Sequence, residues 1–355
     1  MRKSLLLLLT CACSTAHAGV PLTVKPTANL QYDWVRVDAG PQAQAEDGFR
    51  RARLGLRAQS EDRRWQWVVE HDFSDRTPDD AWLEWTPTDG RAVRLGQFKQ
   101  PFSLEDAIAD KQSAFMEASP VGALVIGRRI GLEYASWSQG GTLRVAVFGK
   151  RLDGSNASTG ASLRGTWQLI DGDAGSAHIG FSMASEFPRD ARASFGLNAG
   201  SVFSSVKTAT TGSLTDVERI DRMAVEGVWI RGAWSMQVEL AQVAVRRVGA
   251  DVDGRAGNLQ LTWSPTGDGR RDQRGIVTGP AASGHAGWEL GLRWGSLDLD
   301  DGAVQGGRVQ SWGLSATCYP RSHVRVIAQL SQYHARRAGI DSAPVTAGIR
   351  VQWTY

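Results

Sequence analysis

Val345-Thr346-Ala347-Gly348-Ile349-Arg350-Val351-Gln352-Trp353-Thr354-Tyr355 closes the chain, and its alternation decides the fold. Val345, Ala347, Ile349, Val351, Trp353 and Tyr355 share one face of an extended strand, and Thr346, Gly348, Arg350, Gln352 and Thr354 share the other. A period of two means one apolar wall and one wet wall. Termini of soluble domains tend to fray rather than end in a clean amphipathic strand. A transmembrane barrel strand has this length and this alternation. An aromatic last residue such as Tyr355 is also the usual mark read by the insertion machinery of bacterial outer membranes, so that compartment is expected.

The N-terminal residues agree. Arg2 and Lys3 precede the apolar run Leu5–Leu9 and the small-residue site Ala16-His17-Ala18. This is a signal-peptide pattern, with cleavage expected after Ala18 and a mature chain of 19–355. The apolar run is too short for a membrane anchor. Lipidation is disfavoured, because Cys11 follows Thr10 and Cys13 has Thr10 at the aliphatic position. Cleavage removes Cys11 and Cys13, which leaves Cys318 alone and excludes an internal disulfide. It also takes the formal charge from +3 to +1, so net charge implies no partner. No basic tail or nucleic-acid motif is present.

Strand-like alternation recurs along the chain. Ala52, Leu54, Leu56 and Ala58 oppose Arg51, Arg53, Gly55 and Arg57. Trp288, Leu290, Leu292 and Trp294 oppose Glu289, Gly291 and Arg293. Val324, Val326, Ala328 and Leu330 oppose His323, Arg325, Ile327 and Gln329, where Ile327 breaks the polar face. Connections alternate in length. Short ones lie near residues 60–63, 88–90, 139–140, 171–175, 231–233 and 320–321, most carrying Gly, Asp or Pro. Long ones cover 38–48, 74–79, 100–128, 150–160, 187–220, 249–255, 300–307 and 335–342. The pattern predicts an all-β, sixteen-stranded antiparallel transmembrane barrel with short periplasmic turns and long extracellular loops. Ser194–Phe203 has strand character, but adding it alone makes the count odd. Segment 264–286 falls on the short-turn side and yet is long.

The forty glycines and fourteen tryptophans suit many tight turns and two aromatic girdles. Trp34, Trp65, Trp67, Trp85, Trp167, Trp229, Trp263, Trp294 and Trp353 fall within or near strand ends. A soluble sandwich also uses tryptophan in its core, but it does not explain the rim asymmetry. Alternation places Arg51, Arg53, Arg57, Arg94, Arg129, Arg144, Arg164, Arg293, Arg325 and Arg350 inward. It does the same for Glu70, Asp72, Glu84, Glu133, Glu226, Glu239 and Glu289. Arg50 is expected to face outward at the rim. Glu70-His71-Asp72 is a tight His–carboxylate cluster, but its ring and its carboxylates point to opposite faces. No nucleophile motif or metal-ligand spacing occurs, so neither enzyme nor cofactor is expected.

The chain resembles the phosphate-selective porins O and P. The resemblance is carried by Arg94-Leu95-Gly96-Gln97-Phe98-Lys99-Gln100-Pro101-Phe102-Ser103-Leu104-Glu105, by Ala114-Phe115-Met116-Glu117, and by Gly127-Arg128-Arg129-Ile130-Gly131. Phe49–Arg53, Ala286–Trp294 and, weakly, Ser296–Leu299 support it. It implies a sixteen-stranded homotrimeric channel in the outer membrane of a Gram-negative bacterium. It implies a third long loop folded into the lumen and basic residues that pass small anions such as phosphate. The chain departs from the phosphate-selective members in being poor in Lys. A general or sugar-conducting porin is the alternative.

Within that expectation the candidate anion-binding residues are Arg51, Arg53, Arg57, Arg94, Lys111 and Arg129. Arg51, Arg53 and Arg57 project from one strand face with only Gly55 intervening, positions two residues apart standing about 7 Å from each other, a ladder able to pass a phosphate-like anion between guanidiniums. Segment 100–128 is too long for a hairpin loop. Leu104, Ala107, Ile108, Lys111 and Phe115 have helical spacing. That spacing seats the apolar residues on the wall and turns Lys111 to the pore.

Overall fold

The computed structural model describes residues 21–40, 43–172, 175–267, 269–280 and 287–355. The signal-peptide reading of residues 1–18 lies outside them. The wall begins with β1 Leu22–Asp38, β2 Gln44–Ser60, β3 Trp65–Asp72, β4 Thr77–Thr88 and β5 Arg91–Lys99. It continues with β6 Arg128–Ser138, β7 Gly141–Phe148, β8 Ser158–Gly172, β9 Gly175–Pro188, β10 Val217–Arg231 and β11 Trp234–Arg247. β12 Val252–Trp263, β13 Gly287–Asp301, β14 Val304–Arg321, β15 Val324–Arg337 and β16 Val345–Thr354 complete it. Ile340–Ser342 pairs with the end of β15 and is an outlying piece of the last strand.

Every neighbouring pair is antiparallel, and β1 pairs with both β2 and β16, so the sheet closes. Closure leaves no edge, so each strand satisfies its backbone groups without water. Asp33 on β1 and Arg350 on β16 stand opposite each other at the seam. Arg350 Nε and Nη2 donate to the two Asp33 oxygens at 2.7 and 2.8 Å.

Burial runs opposite to that of a soluble protein. On β16 the apolar face is exposed, with Ile349 at 50% and Trp353 at 41%, while Arg350 is 1% exposed. Leu54 and Leu56 on β2 and Leu290 and Leu292 on β13 are likewise exposed. This outer surface is solvated by lipid tails, and the polar face lines the lumen. Tryptophans gather at the short-turn rim, where Trp65 stacks on Trp85 and Trp234 on Trp263. That is the position of an interfacial aromatic belt.

Two details differ from the sequence reading. Segment 300–307 is almost all strand, reversing at Gly302 with φ +54° between Asp301 and Val304. Arg50 does not face outward. The β1–β2 register passes from Gln31 opposite Arg51 to Tyr32 opposite Phe49, so Arg50 occupies a bulge. The extra residue turns the strand locally. Arg50 then reaches Glu117 with two hydrogen bonds, at 2.9 and 3.1 Å.

Candidate functional site

Three connections leave the wall and fold against lumen-facing side chains. The first, 101–127, begins with a one-turn helix, α1 Leu104–Ala107, capped by Ser103. The helical spacing through Phe115 is realised only as this turn and a 3₁₀ turn at Asp110–Gln112. The segment departs from β5, yet its partners lie on distant strands. Glu239 of β11 accepts from the Leu104 and Glu105 amides, both at 2.9 Å. Arg222 of β10 donates to the Leu124 carbonyl and Arg293 of β13 to the Glu117 carbonyl, each at 2.9 Å. Arg325 of β15 donates to the Ser113 and Asp110 carbonyls at 2.8 and 3.0 Å. Gln329 of β15 accepts from the Met116 amide at 2.7 Å.

The packing agrees with these bonds. Phe115 is fully buried beneath the Arg293 guanidinium, 4.2 Å from the ring centroid. A Cβ on Gly291 or Gly313 would meet that ring within 3.3 Å, and one on Gly348 would meet Met116. Glycines therefore clear the far wall where the loop sits. Ile327, the break in an otherwise polar face, is fully buried in a cluster with Met116 and Ala199.

The second segment, 189–216, carries a short hairpin of Gly196–Asn198 and Lys207–Thr210. The strand character near residues 194–203 belongs to this hairpin and not to the wall. Thr346 of β16 donates to Ala199, and Gln44 of β2 to Ser205. The segment thus bonds to strands near the long-loop mouth that lie far from its own attachment.

The third segment is the long connection 264–286 on the short-turn side. Its described part forms a hairpin, Arg271–Gln273 with Ile276–Thr278, turned inward. Val277 is fully buried with Leu104, Val228 and Ile230. Arg270 binds Glu289 through two hydrogen bonds, at 2.7 and 3.0 Å, and also donates to the Gln112 carbonyl. The hairpin therefore touches both the wall and the first loop.

Among the described residues, two cavities border the infolded first segment. The larger, about 310 Å³, is lined by Arg53, Arg57, Arg94 and Lys111 among others. The smaller, about 160 Å³, is lined by Arg50, Arg51 and Glu117 among others. Lys99 and Asp110 border both. Asp110 is a hub: it accepts from Arg51 and Arg53 at 3.0 Å each and lies 3.8 Å from Lys99. Burial alone would push its carboxyl up, but Lys99, Arg53 and Arg51 hold it well below the usual carboxylate range.

The six sequence candidates separate here. Arg51 is bound to Asp75 and Asp110, and Arg53 to Asp72, Asp79 and Asp110. Arg94 pairs with Glu84 and lies over the Trp82 ring. Arg129 pairs with Glu186, donates to the Ile126 carbonyl and borders neither cavity. Among the described residues, Arg57 and Lys111 have no carboxylate within ion-pair distance, and both are exposed on the larger cavity. Sequence reasoning missed Asp110, Lys99 and Arg128 as site residues. Lys99 and Arg128 flank the loop in the family-like segment, so a signal existed for them. Nothing in the spacing marked Asp110.

A closed sixteen-strand barrel with an apolar outside, a charged lumen and an inward-folded loop is an outer-membrane porin. The chain belongs to the phosphate-selective porin O and P family, which matches residues 24–355. It is therefore a porin channel of the Gram-negative outer membrane. Similar solved structures include OmpT of Vibrio cholerae, at TM-score 0.62 and 14% identity over 94% of this chain and 98% of that one. The outer membrane channel DcaP of Acinetobacter baumannii gives 0.62 and 11% over 94% and 97%. An anion-selective porin from Comamonas acidovorans gives 0.59 and 12% over 94% and 100%. At these identities the likeness concerns the fold. No individually curated protein matches the chain.

Proposed function

We propose that the channel passes small anions, phosphate-like ions among them, with a modest preference over cations. The observation that carries this is the pair Arg57 and Lys111, two cations on the larger cavity with no carboxylate partner among the described residues. Around that cavity stand eight cationic side chains and four carboxylates, Glu70, Asp80, Asp110 and Glu133. The preference is modest because carboxylates bind most of the guanidiniums. Arg51 and Arg53, expected as rungs of a ladder, share Asp110. The family's description as phosphate-selective supports the same direction.

In this reading segment 101–127 is the constriction, and Lys111 stands beside its narrowest point. A charge in a narrow, partly desolvated passage acts more strongly than one at the surface. Exporting residues 1–18 as a signal peptide fits the compartment. The reading gives the chain no catalytic role and no cofactor. A homotrimer embedded in outer-membrane lipid is part of it. β3 and β7 have eight residues each, just under the usual spanning length of about 9–11, and we place the contact between copies on this part of the wall. One similar structure is described as a trimer form.

Reversal potential across a salt gradient in a planar bilayer tests the proposal. Anion preference is expected, weakening when Arg57 and Lys111 are both replaced by Ser. A cation-preferring or unselective wild-type channel would return the reading to a general or sugar-conducting porin.

A further inference from the structure

The inward hairpin at residues 271–278 is held to the wall by a buried charge cluster. His178 of β9 places Nδ1 2.5 Å from Asp272 on the hairpin and Nε2 3.2 Å from Glu226 of β10. Arg164 of β8 binds the same Glu226 and donates to the hairpin carbonyl of Gly275 at 2.5 Å. The side chains of Arg164, His178, Glu226 and Asp272 are all no more than 3% exposed. Glu239 of β11, the remaining charge near the cluster, is occupied by two loop amides.

Both ring nitrogens of His178 face carboxylate oxygens, so both must donate. Only the imidazolium can do so. The charge count agrees. Among the four groups bonded to one another, protonated His178 gives two cations for two anions, with Glu239 a further carboxylate beside them. With His178 neutral, one buried negative charge is uncompensated, and a nitrogen lone pair faces a carboxylate.

We propose that His178 is a proton-operated latch: as the imidazolium it docks the hairpin inside the barrel, and its deprotonation releases the hairpin and widens the pore from the short-turn side. Docking is thus complete at low pH and is lost as pH rises through the value at which His178 gives up its proton. The neighbouring guanidiniums do not titrate in this range.

The test is total conductance in symmetrical salt from about pH 5 to pH 9, a readout indifferent to which ion carries the current. Wild type is expected to gain conductance in a single step as pH rises. His178→Gln, which hydrogen-bonds without titrating, should lose the step. If that variant assembles poorly, Asp272→Asn leaves the imidazole in place, removes one carboxylate that favours its charged form, and should move the step to lower pH. A lock supplies the independent arm. A Cβ on Gly279 would lie 3.9 Å from that of Gln112, within the range of a disulfide. Gln112→Cys with Gly279→Cys, in a Cys318→Ser background, should flatten the profile when oxidised and restore it when reduced. A flat wild-type profile, a step that survives in His178→Gln, or a step that survives in the oxidised lock overturns the proposal.

Discussion

On β2, Arg57 borders the larger cavity with no carboxylate within ion-pair distance among the described residues. On β8, Arg164 borders the same cavity, yet it is 1% exposed and bound to Glu226 and to the carbonyl of Gly275. Both side chains face the lumen. What separates them is cover. Along β8–β15 the infolded segments lie over the guanidiniums, and Arg164, Arg222, Arg293 and Arg325 become anchors for backbone carbonyls. Along β1–β5 the wall stays open to the cavities. Facing the lumen therefore does not make an arginine part of the conduction path.

The largest effect should come from breaking an anchor. Glu226→Ala leaves Arg164 and His178 buried beside a single carboxylate, a loss of about 3–5 kcal/mol. It should appear as a lower temperature of the heat-dependent gel shift that marks barrel unfolding. Arg325→Ala leaves two loop carbonyls without their donor, at a cost of about 1–3 kcal/mol. The barrel should still assemble, with larger and noisier single-channel currents as segment 101–127 loosens. Currents like the parent's would mean that the loop is held without that anchor.

Changes on the open side should alter selectivity and leave stability alone. Lys111→Glu should shift the anion-to-cation permeability ratio toward cations by about fivefold, the equivalent of about 1 kcal/mol for a charge near a wet passage. An unchanged ratio would place Lys111 outside the ion path. Asp110→Asn should move the ratio the other way by a smaller factor, because it releases Arg51 and Arg53 yet also removes the tie that orients them. The smallest effect concerns acid. The Asp110 carboxyl is held low by its cations, so its tie is present above the usual carboxylate value and is lost only as pH falls through the lowered one. Selectivity measured from about pH 7 down to pH 4 should show no change from this residue.

Much of the wall was legible. The alternation in Val345–Tyr355 predicts which side chains meet lipid, and the alternating connection lengths predict sixteen strands. Both follow from backbone geometry, which repeats every two residues regardless of context. The candidate site was legible only in part. Arg50 was assigned to the wrong face because a one-residue bulge reverses the alternation, and nothing local announces it. Ile327 looked like noise in a polar face until Met116 was seen resting near it. The connection 264–286 carried no periodic signal of its own, since its hairpin is held by Val277, Asp272 and Arg270 reaching other strands.

The sequence by itself determined the class of protein: short-range patterning separates an apolar outer face from a polar lumen and counts the strands that close it. Only the tertiary structure decided which lumen cations are free. That depends on contacts such as Arg51 with Asp110, fifty-nine residues apart, and Arg325 with the Asp110 carbonyl, 215 residues apart. An ion's availability is set by the charges within a few ångströms of it, and in a closed barrel those neighbours come from segments whose separation in the chain bears no relation to their distance across the lumen.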